Sequence, residues 1–211
     1  MIVYFVEGNI GTGKSTLLKM IETYYPDRCQ VIYEPVDTWT SFKDKDGVNI
    51  LGHFYKDPKR YAYTFQNIAF ISKIEKLADI DYTKDFVFIE RSIWSDRNIF
   101  AKNCFMSELM NDIEYQVYNT WFNWIEQNAK IPPAFSFIYL RCSPETSYKR
   151  VNIRGRTEES GLSLEYLTQI HDRHEEWLDS SSLAMIIDAE CDYTDKLTFL
   201  KKMESIVNKT F

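Results

Sequence analysis

The sequence predicts a three-layer α/β domain in which helices cover both faces of a five-stranded parallel sheet. The first observation is that five short runs rich in Val, Ile, Phe and Tyr alternate with longer segments of helical pattern, as βαβ units require. The second is the composition, which at 45% hydrophobic residues in 211 positions is that of one folded domain. No linker or internal repeat divides the sequence, so we assign residues 1–211 to a single domain.

The strands are predicted at the five apolar runs. These runs occupy residues 2–6, 30–34, 86–90, 135–140 and 183–188. The clearest helical segments occupy residues 14–25, 60–77 and 111–129, and a short loop at residues 179–182 precedes the last strand. The carboxyl ends of parallel strands meet at one edge of the sheet, where ligands of such folds bind. Because charged and polar residues follow each predicted strand, we expect a site at that edge.

A glycine-rich loop, EGNIGTGKST, follows the first strand. Gly8, Gly13, Lys14 and Ser15 match the pattern G-x-x-x-x-G-K-[ST] in the strand–loop–helix context that the motif requires. In such a loop, backbone N–H groups and the lysine bind phosphate oxygens, and the serine hydroxyl is a ligand of Mg²⁺. The residues predicted to bind the nucleotide here are Gly8, Asn9, Ile10, Gly11, Thr12, Gly13, Lys14, Ser15 and Thr16.

The loop predicts a nucleoside triphosphate and magnesium, but it does not by itself predict the reaction. A switch GTPase would carry an N-K-x-D motif after a late strand, and the only Asn-Lys pair, Asn208 and Lys209, continues differently. A motor ATPase is usually longer and ends a strand in Asp, whereas the strand FVFIE ends in Glu90. A small phosphotransferase fits the chain better.

Two predicted strands end in carboxylates that a phosphotransferase could use. A kinase that phosphorylates a hydroxyl needs a base near it and positive charge around the moving phosphoryl group. Glu34 ends the second strand, and Glu90 with Arg91 ends the third, where this pair could assist magnesium and hold the attacking oxygen. On position alone, these groups could equally be solvated side chains or a surface ion pair.

An arginine-rich segment, YKRVNIRGRTEESG, predicts a lid at approximately residues 150–162. Arg150 and Arg154 are four residues apart and share a helix face, and Arg156 follows them. Three arginines near a phosphate loop could stabilise the charge of a transferring phosphoryl group. Without that loop upstream, the same pattern would indicate a solvated basic helix.

The helix predicted around residues 60–77 has one partly polar face. Gln66, Ala69, Phe70 and Lys73 share it at spacings of three and four residues. A glutamine amide both donates and accepts hydrogen bonds, as the edge of a nucleobase requires. The aromatic residues that could stack on a base are Trp39, Phe65 and Phe100. An ordinary amphipathic helix with Gln66 at its margin explains the same spacing, and periodicity does not separate the two interpretations.

Charge and cysteine usage limit the partners and the compartment. The formal net charge is −6 and the pI is about 5.2, which disfavours binding to a nucleic-acid backbone. The four cysteines form no C-x-x-C pair, which predicts reduced thiols in a reducing compartment. The first apolar run is too short for a signal peptide or a membrane span. We expect a soluble cytoplasmic protein with no nucleic-acid and no membrane partner.

Together the motifs resemble those of one family, the deoxyribonucleoside kinases, which include deoxycytidine, deoxyguanosine and mitochondrial thymidine kinases. The matching segments are EGNIGTGKST, EPVDTW, FYKDPKRYAYTFQ, ERSIWSDRNIF, RGRTEESGLSLEYL and DAECDY. They follow the family's order over nearly the whole chain. The resemblance implies a P-loop kinase fold and a salvage reaction with Mg²⁺, in which the γ-phosphoryl group of ATP, or of another nucleoside triphosphate, is transferred to the 5′-hydroxyl of a deoxynucleoside.

The resemblance implies roles for the residues around the reacting groups. Glu34 matches the general base that takes the proton of the 5′-hydroxyl, and Arg91 matches the arginine that steadies that hydroxyl and the base. Lys14 keeps the role that the phosphate loop predicts, on the β- and γ-phosphates. Glu90 matches a carboxylate on the magnesium side, with Ser15 as the other magnesium-binding residue.

The resemblance also implies residues for the sugar, the base and the donor. Tyr55 and Glu159 match the pair that hydrogen-bonds the 3′-hydroxyl, and Gln66 matches the residue that contacts the base edge. Asp192 and Tyr193 fall where the family contacts the base of the donor. The matches to the walls of the base slot are Trp39, Phe65 and Phe100, and the matches to the lid arginines are Arg150, Arg154 and Arg156.

Base specificity depends on a pair that this sequence alters. Family members that favour deoxycytidine or purine deoxynucleosides pair an arginine on the glutamine-bearing helix with an aspartate after E-R-S, and thymidine-using members replace both. Here Asp96 and the small residue Ala69 are present, but Lys73 stands at the arginine position and Trp94 where tyrosine is usual. Lysine keeps the charge and loses the planar fork of donors. We expect deoxycytidine or purine deoxynucleosides to be preferred to thymidine.

Other interpretations stay open at this point. One is a thymidine-preferring deoxynucleoside kinase. Another is a nucleoside monophosphate kinase, which shares the loop and the lid, although its phosphate acceptor needs arginines rather than a base such as Glu34. A regulatory module would bind ATP without transferring phosphate. The family is typically dimeric through helices, which implies a homodimer.

Overall fold

A computed structural model of the chain describes residues 1–159, 161–191, 198, 201 and 203, so that the predicted donor contacts Asp192 and Tyr193 lie outside the described residues. Its centre is a sheet of five parallel strands in the order β2-β3-β1-β4-β5. The strands are β1 Ile2–Glu7, β2 Cys29–Ile32, β3 Phe86–Glu90, β4 Phe135–Arg141 and β5 Ala184–Asp188. The predicted α/β class and the five parallel strands are confirmed.

The helices occur between the strands, as the alternation of patterns predicts. They are α1 Lys14–Tyr24, α2 Val36–Ser41, α3 Ile50–Lys56, α4 Pro58–Lys76, α5 Ile93–Ser95, α6 Lys102–Met106, α7 Asp112–Asn128, α8 Pro144–Arg154 and α9 Leu164–Leu178. Two 3-10 turns are described, Leu77–Asp79 and Thr157–Glu159. A π-helical turn, Asp96–Ala101, joins α5 to α6, so that one continuous helix runs from Ile93 to Met106.

Helices cover both faces of the sheet because alternate residues of each strand point to opposite sides. Tyr4 and Val6 pack with Leu17, Leu18 and Ile21 of α1 on one face. On the other face, the buried core residues are Val3, Phe5, Ile32, Leu77, Ile80, Val87, Ile89, Phe137, Tyr139 and Leu178. Strands that are buried on both faces explain why each appears in the sequence as a nearly continuous apolar run.

A further core lies among the helices on one side of the site. Its buried residues come from α2, α3, α4 and α7, from the helix that continues through the π-helical turn, and from Met110 between α6 and α7. Phe70 of α4 is fully buried there and packs edge to face against Tyr118, with ring centroids 5.3 Å apart. Phe70 is therefore a core residue, whereas Gln66, Ala69 and Lys73 on the same helix line the cleft described below.

The second strand is shorter than predicted. β2 ends at Ile32, and Glu34 lies two residues beyond it, before α2 begins at Val36. Pro35 has no N–H group to continue a ladder of hydrogen bonds, and the N–H of Val36 instead donates to the carbonyl of Glu34 at 2.8 Å. Glu34 consequently stands on a turn past the sheet edge.

Three of the cysteines, Cys29, Cys104 and Cys142, are buried free thiols, and Cys191 is an exposed one. Within the described ranges, no helix combines the length and the apolar character that crossing a membrane requires.

Candidate active site

A cleft of about 950 Å³ opens at the carboxyl edge of the sheet, where the strand order reverses around β1. The predicted site residues that line it are Ile10, Gly11, Thr12, Gly13, Lys14, Ser15, Thr16, Glu34, Trp39, Tyr55, Phe65, Gln66, Lys73, Glu90, Arg91, Asp96, Phe100, Arg150, Arg154, Arg156 and Glu159. Gly8 and Asn9 lie behind this surface, at the start of the loop. One cleft therefore contains nearly all of the predicted groups.

The phosphate loop fits closely between β4 and α8. Gly8 and Gly11 have positive φ angles of 145° and 87°. A Cβ atom at Gly8 would lie 2.7 Å from the carbonyl oxygen of Leu140, and one at Gly11 would lie 2.6 Å from that of Ser147. Both the backbone conformation and the space therefore require glycine at these positions.

Lys14 is buried at the centre of the loop. Its Nζ donates to the carbonyl oxygens of Gly8 at 3.0 Å and Asn9 at 2.8 Å. Burial, with a smaller contribution from the charge of Arg91, lowers the pKa of Lys14 to about 7. An anion bound in this loop would favour the charged form of the lysine.

Ser15 and Glu90 meet at the base of the loop. The Ser15 hydroxyl donates to Glu90 Oε1 at 2.7 Å, although 75 residues separate them in sequence. An adjacent hydroxyl and carboxylate beside a phosphate-binding loop are oxygen ligands of the kind that Mg²⁺ uses together with phosphate oxygens and water. The pair fits a magnesium ion that a bound triphosphate would help to hold.

Glu34 lies between two cations. Its Oε1 is 3.2 Å from Arg91 Nε and 3.2 Å from Lys73 Nζ. Burial alone would raise the pKa of Glu34, but the charges of Arg91, Lys73 and Lys14 outweigh it and hold the pKa below its ordinary value. Glu34 is therefore an ionised carboxylate at neutral pH, able to accept a proton or a hydrogen bond.

Arg91 joins the acceptor side of the cleft to the phosphate loop. Its Nη1 donates to the carbonyl oxygen of Gly8 at 3.1 Å, and its guanidinium lies over the ring of Phe100, 4.7 Å from the centroid. The residue is buried and has a left-handed backbone, with φ at 60°. The guanidinium of Arg91 is consequently fixed by contacts within the protein.

The predicted lysine–aspartate pair is present. Lys73 Nζ donates to Asp96 Oδ1 at 2.5 Å, so Lys73 joins Asp96 to Glu34. Burial raises the pKa of Asp96 to about 6, and Lys73 opposes that rise. Gln66 is buried beside them. Within the described residues, Gln66 Oε1 and Asp96 Oδ2 have no hydrogen-bond partner, so both can accept a hydrogen bond from a ligand.

Aromatic rings surround these polar groups. Trp39 and Phe65 pack edge to face with centroids 5.4 Å apart, and Phe54 stacks on Phe65 at 4.8 Å. The Trp39 indole donates to the Ser72 hydroxyl at 2.9 Å, which fixes the orientation of its ring. The result is a flat slot with apolar walls and a polar end, a shape suited to a nucleobase.

The lid arginines line the cleft, and each is held by protein acceptors. Arg154 donates to Glu159 at 2.5 Å and Arg156 pairs with it at 3.4 Å. Arg150 donates to the carbonyl oxygens of Ala189 and Glu190. The three guanidinium groups therefore share the cleft without converging on one point, because Glu159 and the segment after β5 provide separate acceptors.

Tyr55 and Glu159, which match the sugar-binding pair, line the same cleft. Tyr55 is half-buried and Glu159 is buried. Burial and, to a smaller extent, the charge of Glu159 raise the pKa of Tyr55.

The sequence profile of the deoxynucleoside kinase family matches residues 4–210. The chain belongs to the deoxynucleoside kinase family. Its sheet order and phosphate loop are those of a P-loop kinase fold. The kinase is a phosphotransferase that takes a nucleotide as phosphoryl donor and a deoxynucleoside as acceptor.

Curated relatives of the kinase include enzymes with different base preferences in their names. Deoxycytidine kinase of Homo sapiens is 35% identical over 232 aligned positions, which cover 97% of this chain and 87% of the relative. Deoxycytidine kinase 2 of Gallus gallus is 37% identical over 82% of this chain and 72% of the relative. Mitochondrial thymidine kinase 2 of Macaca fascicularis is 37% identical over 86% of this chain and 66% of the relative.

The cleft of the kinase also contains residues that the sequence did not indicate. Those lining it are Lys19, Tyr33, Val36, Asp37, Leu51, Phe54, Thr146, Lys149, Ile153, Tyr166 and Glu190. Their side chains are of types common on any helix or loop. Membership of a quoted segment was the available signal for some of them: Val36 and Asp37 lie in EPVDTW, Phe54 in FYKDPKRYAYTFQ, Lys149 and Ile153 in YKRVNIRGRTEESG, Tyr166 in RGRTEESGLSLEYL and Glu190 in DAECDY.

Proposed function

We propose that the kinase transfers the γ-phosphoryl group of ATP, or of another nucleoside triphosphate, to the 5′-hydroxyl of a deoxynucleoside in nucleotide salvage, with Mg²⁺. The observation that carries the proposal is the position of Glu34. It lies in the cleft that holds the phosphate loop and the aromatic slot, ionised between Arg91 and Lys73. A base at this place serves a hydroxyl acceptor.

On the donor side, the loop amides and Lys14 would bind the β- and γ-phosphates. Ser15 and Glu90 would hold Mg²⁺, which supplies charge neutralisation for the phosphates when bound. The proposed contacts of Asp192 and Tyr193 with the donor base stay predictions. Glu190, which directly precedes Cys191 and these two residues in the chain, lines the cleft, and this supports a donor base placed near them.

On the acceptor side, Glu34 would accept the 5′-proton as the oxygen attacks, while Arg91 orients the hydroxyl and the carboxylate. Tyr55 and Glu159 would hydrogen-bond the 3′-hydroxyl. Arg150, Arg154 and Arg156 would form the lid, at approximately residues 150–162, and stabilise charge on the transferring group. Arg154 and Arg156 already contact Glu159, so the lid and the sugar site share a residue.

For the base, we propose that deoxycytidine or a purine deoxynucleoside is preferred to thymidine. Gln66 Oε1 and Asp96 Oδ2, which lack partners in the part of the chain that the structure describes, suit a base that presents an amino group. The pair between Lys73 and Asp96 survives the change from arginine, and both side chains are buried. The deoxycytidine kinases among the relatives support this preference, and the thymidine kinase among them keeps thymidine as the alternative.

The decisive test is a panel of four deoxynucleosides with ATP and Mg²⁺, compared by kcat/KM. We expect deoxycytidine or a purine deoxynucleoside to have the highest value. If thymidine is highest, the specificity proposal fails while the 5′-kinase proposal stands. Thymidylate added as a fifth acceptor tests the monophosphate kinase interpretation, which good turnover would support.

We also propose a homodimer. Ile113, Val117, Trp121 and Trp124 project from α7 at spacings of four, four and three residues, so they form one exposed apolar face. Ile71 of the neighbouring helix α4 is exposed as well. Large apolar faces of this kind are typical of protein interfaces. A cytoplasmic location stays a prediction.

A further inference from the structure

A carboxylate with no part in the proposed transfer lies directly behind the site. Glu7 is the last residue of β1, adjacent to Gly8, and it is completely buried. Its Oε1 accepts hydrogen bonds from the Ser92 N–H at 2.8 Å and from the Ser92 hydroxyl at 2.6 Å. Oε2 has no partner within the described part of the chain. Burying a carboxyl group is unfavourable, so this one requires a reason.

The residue that Glu7 holds, Ser92, directly follows Arg91. The left-handed φ of 60° at Arg91 is uncommon for a residue other than glycine and persists only where neighbouring contacts impose it. Three successive residues provide those contacts. The Val6 carbonyl accepts from Arg91 N at 3.0 Å, Glu7 accepts from Ser92, and the Gly8 carbonyl accepts from Arg91 Nη1 at 3.1 Å.

These contacts fix Arg91 with respect to the phosphate loop. The Gly8 carbonyl also accepts from Lys14 Nζ at 3.0 Å, while Arg91 Nε reaches Glu34 at 3.2 Å. The turn after β3 therefore sets how far the groups on the donor phosphates stand from the group on the acceptor hydroxyl. Phosphoryl transfer depends strongly on this distance.

We propose that Glu7 is a positioning residue for phosphoryl transfer, whose Oε1 holds Ser92 and thereby keeps the Arg91 guanidinium against Glu34 and Gly8. The inference rests on the role proposed above for Arg91. What matters is that Oε1 accepts two hydrogen bonds, not that the group is charged. Burial raises the pKa of Glu7, against the opposing effects of Ser92 and Arg91, which agrees with a carboxyl group whose negative charge is not required.

The test compares Glu7→Gln with Glu7→Met in the full chain. Glutamine keeps an acceptor at Oε1, and methionine removes it at similar size. We expect Glu7→Met to lower the single-turnover rate of phosphoryl transfer about 10- to 100-fold, with the Kd values of deoxynucleoside and ATP nearly unchanged. Glu7→Gln should retain the wild-type rate within about threefold. A wild-type rate in Glu7→Met, or an equal loss in both variants, would overturn the proposal.

A double-mutant cycle distinguishes positioning from a general structural effect. In an Arg91→Ala background, Glu7→Met should cause no further loss of rate, because its effect passes through Arg91. Independent, additive losses would contradict the proposal. If Arg91→Ala itself transfers at the wild-type rate, the proposed role of Arg91 fails first, whereas a slow Arg91→Ala with a fast Glu7→Met overturns only the role of Glu7.

Ser92→Ala provides a second variant if Glu7→Met does not fold. It removes the hydroxyl donor to Glu7, and we expect a smaller loss of rate that again disappears in the Arg91→Ala background. Ser95→Ala is the matched control. The Ser95 hydroxyl donates to the Ser92 carbonyl at 2.7 Å at the start of the same helix without touching Glu7, so its rate should equal the wild type. A loss in Ser95→Ala as large as in Ser92→Ala would overturn the proposal.

Discussion

Glu34, the proposed base, lies among cations that lower its pKa. Arg91 and Lys73 both contact Oε1, which keeps the group ionised. We expect Glu34→Gln to lower kcat about 10²–10⁴-fold, the usual range for loss of a general base. Steady-state kinetics with the preferred deoxynucleoside checks this.

The control for Glu34→Gln is a measurement of substrate binding by the same variant. Glutamine preserves the shape of the side chain, so calorimetric Kd values for deoxynucleoside and ATP should change little. Near-normal turnover would remove Glu34 from the role of base, and a large loss of nucleoside affinity would show that it binds substrate instead.

The lowered pKa of Lys14 predicts that nucleotide binding depends on pH. With its pKa lowered to about 7, it loses its proton in the free enzyme as pH rises through that value. Because a triphosphate favours the ammonium form, binding above pH 7 should take up a proton, and the apparent Kd should rise by up to about tenfold per pH unit. Calorimetry between pH 7 and pH 9 in buffers of different ionisation enthalpy measures this uptake.

Lys14→Arg is the control for that linkage, since a guanidinium stays charged throughout this range. Proton uptake above pH 7 should disappear in this variant even if its affinity differs. Equal uptake in wild type and variant would assign the proton to another group.

At the scale of residues, the sequence predicted the chemical types well and the contacts incompletely. The pair between Lys73 and Asp96 was expected, but the contact of Lys73 with Glu34 was not. The three residues lie on separate segments, and their meeting depends on how α2 and α4 pack. Glu7 looked like the ordinary end of a strand because its partner, Ser92, is 85 residues away.

Two of the three lid arginines contact one carboxylate. Glu159 contacts Arg154 and Arg156 across Gly155, where the helix ends in a left-handed residue. Glu159→Gln should weaken both contacts and reduce kcat/KM about 10- to 100-fold, as expected for hydrogen bonds between charged groups. The initial rate at low deoxynucleoside concentration measures the change.

The adjacent Glu158 provides a matched control for the lid. Its Oε1 accepts a hydrogen bond from Asn49 Nδ2 at 3.2 Å. Glu158→Gln should keep kcat/KM within about threefold, because glutamine retains the acceptor. Similar losses in both variants would show that the lid responds to charge in general and not to Glu159.

At the scale of elements, strands buried on both faces were predictable because their apolar runs are nearly continuous. The end of β2 was placed two residues late, since Tyr33 has strong strand character while Pro35 acts only through the geometry of the turn. The π-helical turn was not predicted. Its residues, DRNIFA, have no pattern that distinguishes i→i+5 from ordinary helical hydrogen bonds.

For the whole molecule, the exposed face of α7 predicts self-association. Wild-type protein should sediment at twice the 25.1 kDa mass of the chain. A Trp121→Glu and Trp124→Glu double variant should sediment as a monomer, because four charges in the dimer would be buried in an apolar interface. Sedimentation velocity at micromolar concentration checks both.

Tyr82→Glu is the control for that experiment. Tyr82 is 64% exposed on a turn before β3 and is not part of α7, so its substitution should leave the proposed dimer intact. A monomeric wild type, or a dimeric double variant, would contradict the assigned face. The proposed dimer follows from the resemblance to the family, whereas the proposed surface depends on which face of α7 is exposed.

The π-helical turn has a consequence for how relatives of this chain could change their base slot. Such a turn is an α-helix with one residue inserted. Asp96, its first residue, and Phe100, next to its last, both line the cleft. Deleting one residue between them would restore a regular helix and rotate one of these side chains by about 100° relative to the other. A change of length by one residue would therefore redirect the slot in a single step, which no substitution at either position could do.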